Sequence, residues 1–178
     1  MPQSLTKLPL TEFLAQPHIE SSPAWELIEG QAIQKPMPTL FHSRLQRNLV
    51  NYINDRTDRF EAIQELRCII PPYSPVPDIA VVNSNNLPEE DGPFEGELYF
   101  IIEIRSPNQS TLDLQNKILH CLRYGTQMAW LIDFIRQQIW VWQGDDLPII
   151  CSENDTLPDL ELRLELSVEA VMAMTRRR

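Results

Sequence analysis

The chain has 178 residues, 43% of them hydrophobic, which suits one globular domain with its own core. Fifteen Lys and Arg face 25 Asp and Glu, a net charge of −10. That balance excludes the broad basic surface that drives non-specific nucleic-acid binding, but not a local basic groove or an acidic cluster that holds cations. A single domain over residues 1–178 is expected, with residues 1–24 as an extension carrying a short helix. Thr11 is placed to cap that helix, from Glu12 to Gln16, before Pro17 stops it. Residues 25–34 read as a hairpin turning near Glu29-Gly30. His42, Leu45, Leu49, Tyr52 and Ile53 recur at steps of three and four, which predicts a helix from about Leu40 to Asp55.

Residues 61–70 read as a strand, and Pro71, Pro72, Pro75 and Pro77 impose a loop after it. Asp78 opens a short apolar strand to Val82. A polar loop over 83–97 leads to Leu98–Ile104, apolar on both faces as a buried central strand requires. Ser110 and Thr111 can cap a second long helix, Leu112 to Tyr124, ended by Gly125. Residues 129–134 and 138–143 form two strands joined at 135–137, and Ser167 to Met174 forms a terminal helix before Arg176, Arg177 and Arg178. The order predicts an α/β fold: a central mixed sheet with a helix on each face. Cys68, Cys121 and Cys151 form no CxxC pair, so free buried thiols in a reducing compartment are expected, not a zinc site. The sequence contains neither a signal-peptide core nor an apolar run of 18 residues, and a cytoplasmic location is expected.

Two acids carry the chemistry. Asp78 begins one apolar strand and Glu103 lies inside another, between Ile102 and Ile104. A carboxylate in such company needs a cation or hydrogen-bond donors, because an unpaired buried charge is costly. If the strands are neighbours, the two carboxylates converge and offer hard oxygen ligands for Mg²⁺ or Mn²⁺. Arg105 shares the strand face of Glu103, and Lys117 in the following helix can reach back toward it. Either cation can offset charge developing on a phosphate. His42 lies on the apolar stripe of its helix, where a core role competes with a site role. Ser106 shapes the strand exit and can hydrogen-bond near a metal. No G-x-S-x-G, P-loop or dinucleotide fingerprint occurs, and glycines number only 5.

These stretches, in this order, resemble the PD-(D/E)XK nucleases and, more closely, the Uma family of restriction-endonuclease-type proteins. The resemblance rests on Trp25-Glu26-Leu27-Ile28-Glu29-Gly30, His42, Pro77-Asp78-Ile79-Ala80-Val81-Val82 and Glu103-Ile104-Arg105-Ser106-Pro107. It continues through Asp113, Lys117, Tyr124-Gly125 and Ala129-Trp130-Leu131-Ile132-Asp133, so that it spans roughly residues 10–145. It implies a restriction-endonuclease-like fold, a Mg²⁺- or Mn²⁺-dependent endonuclease acting on DNA, and a homodimer. It makes Asp78 and Glu103 the metal ligands and Lys117 the helix-borne stand-in for the superfamily's strand lysine. Arg105 departs from the pattern at the strand position, and is expected as a phosphate or carboxylate partner. Glu26 matches an N-terminal motif acid and is expected near the acidic cluster. The alternative is a catalytically inactive module that keeps the fold and binds nucleic acid or protein.

Overall fold

The computed structural model describes residues 7–144 and 147–177; Pro2 and Arg178 lie outside the described residues. A first helix, α1, covers Leu10–Leu14. It starts two residues earlier than the sequence suggests: Pro9, extended and outside the helix, is the cap, and Thr11 lies in the first turn. Strands β1 (Trp25–Ile28) and β2 (Gln31–Gln34) pair antiparallel as the expected hairpin. Its two turn residues, Glu29 and Gly30, take φ of 53° and 80°, the left-handed pair that a tight two-residue hairpin turn needs. The N-terminal segment seals this turn, with Leu8 N donating to Gly30 O at 2.8 Å. A Cβ added to Gly30 would meet Lys7 Cβ at 2.6 Å. Gly30→Ala should therefore destabilise the protein by about 1–3 kcal/mol from the backbone strain alone. An unchanged urea midpoint would contradict this.

Helix α2, Leu40–Asn54, is capped by Thr39, whose Oγ1 accepts from His42 N at 3.3 Å. The stretch 61–70 does not form one strand. It breaks into β3 (Phe60–Gln64) and β4 (Cys68–Ile69). The break is at Glu65, with φ of 50°, which turns its carboxylate toward the site described below. Beyond it, Arg67 is buried. Its guanidinium donates to Ile19 O, Trp25 O and Ser74 Oγ and pairs with Glu20, work that a regular strand position would not allow. Strand β5 is Ile79–Asn83, with Asp78 just before it. The polar stretch 83–97 contains the short strand β6 (Phe94–Glu95), parallel to β4. Then follow β7 (Phe100–Ile104), α3 (Thr111–Arg123), β8 (Met128–Asp133), β9 (Gln138–Trp142), β10 (Ile149–Ser152) and α4 (Val168–Ala173). Ser110 and Ser167 cap α3 and α4 through their side chains. Gly125, with φ of 113°, ends α3.

Six strands form the central sheet in the order β10-β9-β8-β7-β5-β3. Strands β7 and β8 run parallel, linked by α3, and the other neighbours are antiparallel. The expected mixed sheet flanked by helices is the observed architecture. Alternation sorts the central strands onto two cores. Ile79, Val81, Phe100, Ile102 and Trp130 face Leu45, Leu49 and Ile53 of α2 and Val171 of α4. Ala80, Val82, Ile101, Ala129 and Leu131 face Leu114, Ile118 and Cys121 of α3. Each such large side chain contributes about 1.5–3 kcal/mol on burial. Trp130 and Trp142 are core residues, and the three cysteines are free and buried. No helix among the described residues is long and apolar enough to cross a membrane.

Candidate active site

The site forms where β5 begins and β7 ends. The antiparallel ladder of β5 and β7 ends at Ile79 and Ile102, so Asp78, just before β5, and Glu103, next on β7, flank its outer end. Within β7, alternation puts Glu103 on the face of Ile101, toward α3. A backbone bond fixes the arrangement: Ile104 N donates to Asp78 Oδ2 at 2.7 Å.

Three further elements supply side chains. From α3, Lys117 Nζ lies 2.9 Å from Glu103 Oε1 and donates to Glu26 Oε1 at 2.8 Å. Glu26, on β1, also accepts from Val76 N at 2.7 Å, which locks the hairpin to the proline loop. From the end of β2, Lys35 Nζ donates to Asp78 Oδ1 at 2.8 Å, to Val76 O at 2.8 Å and to Glu65 Oε2 at 2.6 Å. From α2, His42 Nε2 lies 3.2 Å from Asp78 Oδ2. Gln46 Nε2 reaches Asp78 O and Glu65 Oε1 at 2.6 and 2.7 Å. Glu26, His42, Asp78, Glu103 and Lys117 are all buried.

The model for the family described as "Putative restriction endonuclease" (Uma2) matches residues 10–172. The chain belongs to the Uma2 family. A crystal structure of a "putative nuclease belonging to DUF820" from Anabaena variabilis ATCC 29413 is similar in sequence and fold. It shares 36% identity, with a TM-score of 0.87 over 95% of this chain and 99% of that one. No curated protein matches the chain significantly.

The electrostatics of this Uma2 site are uneven. Burial alone would raise the Asp78 carboxyl, but Lys35 and the His42 hydrogen bond overcome it and hold Asp78 well below the usual carboxylate range. Burial drives Glu103 the other way, up to about 8; Lys117 opposes the rise and the neighbouring Asp78 adds to it. Burial works to lower Lys117 and Lys35, yet the surrounding carboxylates win and both ammonium groups are held above the ordinary lysine range. Glu26 and Asp78 join Glu103 in favouring the charged form of Lys117.

Glu103 Oε1 is close to the ammonium but finds no donor at a hydrogen-bonding angle, and His42 Nδ1 is also buried without a partner. An under-satisfied buried carboxylate oxygen beside a second carboxylate fits a hard cation. Mg²⁺ is ordinarily held by one or two carboxylates, with water and phosphate oxygens filling its shell. A closed protein cage is not built: among the described residues, no three His, Cys, Asp or Glu side chains are grouped to hold a metal. The donor set therefore suits an open Mg²⁺ or Mn²⁺ site and not a sequestered structural ion.

Two clefts flank the carboxylates. One, about 290 Å³, is lined by Lys35, His42, Gln46, Asp78 and Ser106; the other, about 510 Å³, by Glu26, Lys35, Ser106 and Lys117. Lys35, Pro36, Ser106 and Gln109 border both. Of the residues singled out in the sequence, Asp78, Glu103, Lys117, Glu26 and His42 meet here, and Ser106 lies in the wall. Arg105 is directed elsewhere: its guanidinium binds Asp133 Oδ2 at 2.9 Å and Gln109 O at 3.3 Å. Lys35, Gln46 and Glu65 complete the cluster and have no periodic signal. The one available hint for Lys35 was a lysine wedged between a strand and Pro36.

Proposed function

We propose that this Uma2 protein is a metal-dependent endonuclease that hydrolyses phosphodiester bonds in DNA. The observation that carries the reading is the buried carboxylates of Asp78 and Glu103 at the end of the β5–β7 ladder, with the Lys117 ammonium 2.9 Å from Glu103. Asp78 and Glu103 would hold Mg²⁺ or Mn²⁺. Such an ion polarises a phosphate oxygen and makes water a stronger nucleophile near neutral pH. Lys117 stays protonated, so it is not the base that takes a proton from water. Its role is to keep Glu103 in place and to present fixed positive charge where a phosphate gains negative charge. Glu26 holds the ammonium from the far side. Asp78 is oriented by Ile104 N, Lys35 and His42, so its carboxylate needs no rearrangement before it serves as a ligand. Arg105, tied to Asp133, braces the ends of β7 and β8 and is placed at the periphery of the reaction.

The acidic surface matters to the choice of assay. A chain with net charge −10 binds few phosphates at once, so its affinity is expected to fall only shallowly with salt. Supercoiled plasmid and single-stranded DNA should be incubated with the protein at low salt with Mg²⁺ or Mn²⁺. Cleavage that appears with either ion and stops with EDTA is the expected result. Absence of cleavage with both ions on both substrates overturns the reading and favours a module that keeps the fold for binding.

A further inference from the structure

Lys35 stands out because its ammonium is saturated. Its three N–H donors meet three oxygens, Glu65 Oε2, Val76 O and Asp78 Oδ1, between 2.6 and 2.8 Å. An ammonium has three donors and no more. The side chain is 8% exposed, yet it borders both clefts. Two of these oxygens are carboxylate and one is a carbonyl, drawn from the turn at Glu65 and from the loop Val76-Pro77-Asp78. That oxygen set is what a hard cation selects.

On the other side of Asp78 the ammonium is not saturated. Lys117 donates to Glu26 Oε1 and lies 2.9 Å from Glu103 Oε1, yet Glu103 Oε1 and His42 Nδ1 are buried with no hydrogen-bond partner. The site is thus divided at Asp78, whose Oδ1 belongs to a half already filled by positive charge and whose Oδ2 faces Ile104 N and His42. Two-metal phosphodiesterases place ions about 3.5–4 Å apart.

We propose that Lys35 is a positioning residue whose tethered ammonium fills the second cation position of the site, so that the protein takes up one divalent ion and not two. This rests on the metal-dependent reading above. It makes Lys35 a fixed neighbour of the phosphate that needs no recruitment from solution. It also means that replacing Lys35 by a neutral residue frees the oxygens of Glu65, Val76 and Asp78 for an ion.

Isothermal titration of Mn²⁺ into wild type and Lys35→Met, with circular dichroism to confirm folding, tests this. Wild type should bind one Mn²⁺ per chain and Lys35→Met one more. A purely structural lysine would not raise the count. An unchanged count in Lys35→Met, with Kd within about threefold, overturns the proposal while leaving the nuclease reading intact. If wild type binds none and Lys35→Met binds one, the metal-dependent reading fails and the proposal, which rests on it, fails with it. If neither binds an ion, both fail. Should Lys35→Met not fold, the wild-type count still decides: one ion supports the proposal and two ions overturn it.

Discussion

Glu103→Gln is expected to reduce DNA cleavage at least about a hundredfold while leaving the fold in place. A ligand to a catalytic metal supports several kcal/mol of transition-state stabilisation, and each 1.36 kcal/mol is tenfold in rate. The amide has the shape of the acid but only a neutral oxygen to offer a cation. Its effect on stability should be small for a specific reason. The Glu103 carboxyl is already held up to about 8 by burial, so the native state gains little from its ionised form at neutral pH. Lys117 keeps Glu26 at 2.8 Å as a counter-ion. Cleavage rate and melting temperature measured side by side separate the two effects. Cleavage within threefold of wild type would remove Glu103 from the chemistry, and with it the metal assignment.

Lys117→Met should do the opposite and strike stability first. It leaves the Glu26 carboxylate buried, 6% exposed, with its cation gone, and takes the polar neighbour from Glu103. Breaking a buried pair by removing one partner costs about 3–5 kcal/mol. In a domain of this size, about 1 kcal/mol shifts the melting temperature by roughly 2–4 °C, so a fall on the order of 6–20 °C is expected by scanning calorimetry. A melting temperature within 2 °C of wild type in the single variant would show that water, not Lys117, satisfies these carboxylates.

Much of this site was legible in the sequence, and the reason is local. Asp78 and Glu103 interrupt apolar strands, where a charge has no reason to be unless something compensates it. The helices were legible too, since the stripe of α2 and the serine cap of α3 are local patterns. What was missed depends on the chain meeting itself. Glu65 was read as part of a continuous strand, and only its left-handed backbone aims it at Lys35. Lys35 acquires meaning from Asp78, 43 residues away, and from Val76. Arg105 shows the converse error of parity arguments. It follows Glu103 by two residues, but β7 ends at Ile104, and beyond the ladder alternation no longer dictates direction. Its guanidinium answers to Asp133 instead.

The bond between Glu26 and Lys117 spans 91 residues, and this has a consequence for when the protein becomes competent. Contacts so distant along the chain form late, after loop closure has been offset by the rest of the core. During synthesis, the hairpin and α2 emerge while α3 is still unmade. The acids then exist without the ammonium that seats them. The Glu26–Lys117 pair is therefore available only to a chain whose hairpin and third helix have both been made and brought together.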